Sequence, residues 1–244
     1  MSNTTPQRLY LMQLGTTTVP LPAGQTLSMS RGCYLVQTGD GKNILIDSGL
    51  PADYTPPPGT PPGENTKNVL EHLADLGLHP DDITMLICTH FDVDHAGYHD
   101  SFTRAELVVQ RAHYELALSG HARFAPARNH WDHPALRYRL IEGDSEILPG
   151  LTLLETSGHA PGHQSVLLRL PQTGSVLLAI DAVVLQRLFT LERRAWPTDD
   201  NEEQLRASTG KLLDLVEREN VALVVFGHDG QQWQTLKKAP LYYE

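Results

Sequence analysis

Apolar residues occur along the chain in short, sharply bounded runs. CYLVQT (33–38), NILIDSG (43–49), ITMLICTH (83–90), ELVVQ (106–110), LTLLETSG (151–158), SVLLRL (165–170), SVLLAIDAVV (175–184) and ALVVFGH (222–228) are rich in Val, Ile and Leu and are bounded by turn residues, the pattern of β-strands. Three stretches switch to helical spacing. Residues 65–77 carry Val69, Leu70, Leu73 and Leu76 with Gly77 placed as a stop, residues 201–219 form a longer amphipathic stretch, and residues 111–120 form a shorter one. The segment 51–63, PADYTPPPGTPPG, is too proline-rich for regular structure and predicts an exposed loop, placed near the functional site rather than between domains. Residues 119–135 form a second strand-poor stretch, rich in His, Arg and aromatics.

Several strands end abruptly in polar residues, at Ile46-Asp47, Cys88-Thr89-His90, Thr156-Ser157-Gly158-His159, Ile180-Asp181 and Phe226-Gly227-His228. Such endings predict that functional side chains gather at one rim of a β core. A length of 244 residues suits one domain spanning 1–244.

Composition narrows the function. A net charge of -10 and the lack of a basic block argue against nucleic acid as a partner. No stretch approaches the roughly 20 apolar residues of a membrane span, and the start MSNTTPQRLYLMQLG lacks the features of a secretory signal. The only cysteines are Cys33 and Cys88, with Cys88 inside an apolar run, which suits buried thiols in a reducing, cytoplasmic setting. Twelve histidines is a high count, and histidine is the commonest metal ligand.

The run His90-Phe91-Asp92-Val93-Asp94-His95 places four imidazole or carboxylate side chains within six residues, directly after an apolar strand. Buried Asp and His need partners, and one divalent cation satisfies several at once. With His159, Asp181 and His228 the set reaches seven, more than one four- or five-coordinate ion can use. Two ions sharing a carboxylate are the economical arrangement, with Asp181 as the natural bridge.

This hexad, GHAPGHQS (158–165), the strand ending in Asp181 and FGHD (226–229) resemble the metallo-β-lactamase superfamily, and specifically its N-acyl homoserine lactone lactonase branch. CYLV, IDSGLP, VVQRAHYELAL, IEGDSEILPG and TGSVLLAID fall in that family's order, so the resemblance covers most of residues 31–230. It implies an α/β fold, a four-layer αββα sandwich, with a dinuclear zinc centre between its sheets. His90, Asp92 and His159 would hold the first ion and Asp94, His95 and His228 the second, with Asp181 bridging. A metal-bridging hydroxide would then open a lactone ring, with Asp94 passing the proton to the leaving alkoxide. Other ester, thioester, β-lactam or phosphoester hydrolysis, or a non-hydrolytic di-iron protein, are the competing readings.

Two departures from the family pattern touch chemistry. Asp92 stands where the superfamily usually has His, and Val184 stands where the nearest lactonases have a Tyr able to donate to an oxyanion. Asp92 adds a third carboxylate, bringing the cluster with its hydroxide to formal neutrality. That predicts weaker Lewis acidity and greater competition for Zn²⁺ from Mn²⁺, Fe²⁺ or Co²⁺. Tyr98, His99 or another Tyr would have to replace the lost donor.

Among the other histidines, His72 and His79 are expected on a solvated helix face, His113 in a structural role, and His163 orienting a ligand. His121, His130 and His133 suit a pocket or the surface equally. If an acyl chain binds, the 119–138 segment is expected to form part of its apolar groove; Tyr54, Phe124, Trp131 and Tyr138 lie near the expected entrance, with core or surface packing the default for each.

Overall fold

The computed structural model describes residues 3–61 and 63–244; Met1 and Ser2, part of the N-terminal reading, and Pro62 of the proline-rich loop lie outside the described residues. The chain runs β1 (Pro6–Pro20), β2 (Thr26–Thr38), β3 (Asn43–Ile46), β4 (Gly63–Asn65), α1 (Val69–Asp75), β5 (Ile83–Ile87), α2 (Val93–Ala96), β6 (Glu106–Gln110), α3 (Arg111–Leu118), α4 (Arg128–Trp131), β7 (Arg137–Ile141), β8 (Ser145–Leu148), β9 (Leu151–Glu155), β10 (Gln164–Leu170), β11 (Gly174–Ile180), α5 (Glu202–Arg218), β12 (Leu223–Phe226) and α6 (Gly230–Thr235). One sheet has the order β4-β1-β2-β3-β5-β6-β7 and the other β12-β11-β10-β9-β8.

Side-chain alternation along the strands builds the layers. Leu9, Leu11, Tyr34, Val36, Ile44 and Ile46 of the first sheet pack with Leu153, Val166, Leu168, Val176, Leu178 and Val225 of the second. The alternate residues point outward: Tyr10, Met12, Cys33, Leu35 and Leu45 pack with Val69 and Leu73 of α1. Across the molecule, Leu167, Leu177 and Ala179 pack with Leu212 and Leu215 of α5. Two facing sheets with helices outside each are the αββα sandwich that the resemblance implied.

The eight expected strands are present, and so are the three helices. The first helix starts later than its spacing suggested, because residues 63–65 are drawn into β4 against β1, and Asn68 caps α1 with a reciprocal capping box to Glu71. His72 is a correction. It is buried rather than solvated, with Nε2 3.0 Å from the Gln13 carbonyl, because α1 lays this face against β1. Among the described residues no helix is long and apolar enough to cross a membrane.

Candidate metal centre

Two pairs of parallel strands bring their carboxyl ends to one rim, β3 beside β5 in the first sheet and β11 beside β12 in the second. Open α/β sheets commonly bind ligands at such strand ends. Asp47 follows β3, His90 and Asp92 follow β5, Asp94 and His95 lie in α2, His159 lies between β9 and β10, Asp181 follows β11 and His228 follows β12.

Close backbone approaches at two glycines make the convergence possible. A Cβ on Gly227 would lie 2.6 Å from Asp181 Oδ1 and from the Ile180 carbonyl, so only glycine lets the His228 loop pass beside the β11 end. A Cβ on Gly97 would lie 2.1 Å from Pro51 N, so glycine there lets the Asp47–Pro51 loop dock against α2. The Ser48 amide then donates to the His95 carbonyl at 2.7 Å.

All seven predicted residues come together. His90, His95, His159, Asp181 and His228 are buried, while Asp92 and Asp94 are partly exposed. His90, His159 and Asp181 form one triad and Asp94, His95 and His228 another, the ligand atoms of each within 4.8 Å of one another. Asp92 Oδ2 lies 3.5 Å from His90 Nε2 and 3.3 Å from His159 Nε2. Asp181 Oδ2 lies 3.3 Å from His159 Nε2 and 3.1 Å from His228 Nε2, and Oδ1 lies 3.7 Å from His95 Nε2. Tetrahedral ligands about 2.0–2.1 Å from an ion stand roughly 3.3–3.4 Å apart, so these separations are ion-sized.

A second ring of partners sets which nitrogen of each histidine faces inward. Nδ1 of His95 lies 2.9 Å from Asp47, Nδ1 of His159 lies 2.8 Å from Asp199, and Nδ1 of His228 lies 2.8 Å from the Ser30 carbonyl. The Thr89 hydroxyl donates to Asp47 at 2.7 Å and therefore accepts from His90 Nδ1 at 3.0 Å. With its outer nitrogen so engaged, each histidine points Nε2 inward among the carboxylates, the nitrogen that would face an ion, an arrangement typical of metal-binding histidines. Among the described residues, His90 Nε2, His95 Nε2 and Asp181 Oδ1 have no hydrogen-bond partner although they are buried.

Such a cluster is electrostatically incomplete. Burial works against charge on His95, yet Asp94, Asp181 and Asp47 outweigh it and push its pKa up to about 10. The same negative potential is what divalent cations would neutralise. The residues fit a two-ion centre, with one complication at Arg123.

Sequence reasoning missed Arg123. Its guanidinium grips Asp92 with Nε to Oδ1 and Nη2 to Oδ2, both at 2.6 Å, and Nη2 also lies 2.8 Å from His159 Nε2. Nη1 donates to the His159 carbonyl at 2.8 Å and to the Thr198 carbonyl at 2.7 Å. The signal available was Asp92 itself, since an added carboxylate in a half-buried cluster calls for an added cation. Counting Arg123 returns the cluster to the formal +1 expected with a neutral histidine at position 92, so the expected loss of Lewis acidity is offset.

The remaining histidines support the frame. His163 Nε2 accepts from the Asp181 amide at 3.2 Å, and His113 Nε2 accepts from the Phe91 amide at 2.8 Å, so each holds the backbone at or beside a proposed ligand. His99 is fully buried and cannot reach a substrate as a replacement donor. His130 pairs with Asp100 at 3.0 Å, and the His121 ring packs on Phe124.

The aromatics of residues 119–138 pack inward, while most of the rest of that segment is exposed. Phe124 and Trp131 are buried, Trp131 stacks on Phe91 with ring centroids 4.7 Å apart, and the Tyr138 hydroxyl donates to the Trp131 carbonyl. A cleft of about 240 Å³ is lined by Arg31, the 48–52 loop, Tyr54, residues 65–68 and Tyr98, none of them in that segment. The proline-rich loop therefore contributes Tyr54 to a wall beside α2.

The comparisons with known proteins agree with this architecture. A family model described as the Metallo-beta-lactamase superfamily matches residues 31–228. The chain is 34% identical over 233 residues to an N-acyl homoserine lactonase of Bacillus thuringiensis, covering 91% of this chain and 90% of that protein. It is 32% identical over 268 residues to the N-acyl homoserine lactonase AttM of Rhizobium johnstonii, covering 97% of this chain and 98% of that one. A solved N-acyl homoserine lactone hydrolase with N-hexanoyl-L-homoserine, its product, at the catalytic metal center superposes with a TM-score of 0.85 at 32% identity, covering 98% of this chain and 100% of that chain.

Proposed function

Because the chain belongs to the metallo-beta-lactamase superfamily, we propose that it is a metal-dependent lactonase opening the ring of N-acyl homoserine lactones, with all catalytic parts within the single domain 1–244. The observation that carries this reading is the convergence of four outward-anchored histidines and three carboxylates on a buried space that leaves His90 Nε2, His95 Nε2 and Asp181 Oδ1 without partners. Homology to lactonases over nine-tenths of the chain supports the substrate class.

We assign His90, Asp92 and His159 to the first ion, Asp94, His95 and His228 to the second, and Asp181 to both. Zinc is the ion we favour, since four imidazoles dominate the donor set and Arg123 offsets the extra carboxylate. When bound, the ions would supply an activated water near neutral pH and polarise the ester carbonyl.

The protein's own groups do the rest. Asp94 has 26% side-chain exposure, the most of the three carboxylates, so it is the one placed to carry a proton between the site and the leaving oxygen. Asp47, directly and through Thr89, holds His95 and His90 in their inward-facing tautomers. Tyr98 and Tyr54 border the cleft beside α2 and are our candidates for the phenol that position 184 lacks; Val184 is buried, and its carbonyl accepts from the His228 amide at 3.0 Å.

A pH-stat assay on protein of measured metal content, across N-acyl homoserine lactones, simple lactones, a thioester and a phosphodiester, tests the reading. It predicts preference for the acylated lactones; a higher kcat/KM on the thioester or phosphodiester would replace the substrate class and leave the metal centre standing.

A further inference from the structure

The two halves of the cluster do not offer an incoming ion the same welcome, and the difference lies in Arg123. A guanidinium has five N–H donors, and all five are committed here: two to Asp92, one to His159 Nε2, one to the His159 carbonyl and one to the Thr198 carbonyl. Asp92 can keep this grip while binding an ion, because each carboxylate oxygen has more than one lone pair. His159 Nε2 has a single lone pair. It cannot serve Arg123 and an ion together, so filling the first site must break the 2.8 Å contact and place a dication beside a fixed positive charge.

The second site carries no such opposition. Arg31, on the wall of the neighbouring cleft, directs its donors to Thr17, the Glu64 carbonyl and Asn65 rather than to a residue of the cluster. His95 Nε2 has no hydrogen-bond partner among the described residues, Asp94 Oδ2 lies 3.7 Å from His228 Nε2 and 3.8 Å from His95 Nε2, and the 3.1 Å partner of His228 Nε2 is Asp181, a carboxylate that would share the ion rather than oppose it.

We infer that Arg123 makes metal loading ordered: Asp94, His95 and His228 bind the first equivalent tightly, and the His90, Asp92 and His159 site fills second and more weakly against the guanidinium. The ordering rests on the reading of the cluster as a two-ion centre. Arg123 acts through Asp92 and His159 and is a positioning residue; its grip fixes the Asp92 carboxylate in one orientation while lowering the affinity of the site that carboxylate serves. The protein would then pass through a one-ion state at low zinc.

Titration of chelator-stripped full-length protein with Zn²⁺, followed by calorimetry and native mass spectrometry, reads the order without any substrate. Wild type is expected to bind two ions in steps separated by at least about tenfold in affinity. Arg123→Met should tighten the weak step by about tenfold or more and leave the tight step unchanged, and Arg123→Lys should fall between them. His228→Ala should abolish the tight step and His159→Ala the weak one. Equal steps in wild type, a weak step that stays the same or loosens in Arg123→Met, or loss of the weak step in His228→Ala would overturn the inference. A merely structural arginine would weaken both steps together and lower the melting temperature of the metal-free protein. Saturation at one ion in wild type and Arg123→Met alike would instead overturn the two-ion reading itself.

Discussion

At one end of the cluster, Asp94, His95 and His228 face one another with the outer nitrogens of the histidines anchored to Asp47 and the Ser30 carbonyl, His95 Nε2 without a partner and His228 Nε2 meeting only the shared Asp181 carboxylate at 3.1 Å. At the other end, His90, Asp92 and His159 are equally well anchored through Thr89 and Asp199, yet Arg123 already occupies both Asp92 oxygens and the inner lone pair of His159. Both ends come from strand-end loops of the same two sheets and both use two histidines and one carboxylate. They differ in whether a competing cation is built in. Affinity for a metal therefore depends on what the ligands do in its absence as much as on which ligands are present.

Predictions that break or sharpen this contrast fall in order of size. Asp181 is shared by both ends, lying within 3.3 Å of His159 and 3.1 Å of His228, so Asp181→Ala should remove the distinction altogether. Lactonase kcat/KM should drop by about 10³-fold or more, with metal content below one ion per chain by elemental analysis. Asp94→Asn keeps the shape and removes the proton-carrying carboxylate, and should lower kcat by about 10²–10⁴-fold with a smaller change in KM. A rise in KM with kcat intact would assign Asp94 to binding alone.

The outer anchors separate the two ends. Asp199→Asn, which loosens His159 alone, should weaken the weak zinc step by about 10–100-fold and leave the tight step unchanged, whereas Asp47→Asn, which loosens His95 directly and His90 through Thr89, should weaken the tight step by a similar factor and the weak step less, all read in the titration. If Asp199→Asn moved both steps equally, the ends would not be independent.

The smallest effect is on stability. His113 joins the Phe91 amide to the Pro161 carbonyl, and His113→Phe should cost about 2–4 kcal/mol in urea unfolding by leaving two buried backbone groups unpaired. Burial holds the His113 pKa down at about 3. Because the unfolded chain takes up a proton near its ordinary pKa while the folded chain does not, this residue's stabilisation is complete above about pH 6.5 and is lost as pH falls toward about 3. The wild-type advantage over the variant should shrink over that interval.

Much of this was legible in the sequence because strand ends and metal ligands leave local signatures. Alternating apolar runs marked the strands that carry Asp47, His90, Asp181 and His228, and the density of the hexad exposed the site. What was not legible depends on contacts distant in the chain. Arg123 meets Asp92 across 31 residues and Asp199 meets His159 across 40, with no local pattern to announce either. His72 looked solvated because helical spacing alone does not reveal which neighbour covers a face. Whether the 119–138 aromatics face a groove or the interior was not legible either, because exposed and buried aromatics look alike in sequence; Trp131 stacks on Phe91, and Phe124 is buried beside it.

The central claim is that this chain hydrolyses lactones with two ions held by the seven clustered side chains. Its most direct test is lactone hydrolysis measured against metal content during chelation and stepwise zinc addition. The account predicts no turnover in metal-free protein and recovery that reaches its maximum at two zinc ions per chain. Full hydrolysis by protein stripped of metal, or by protein holding a single ion, would contradict it.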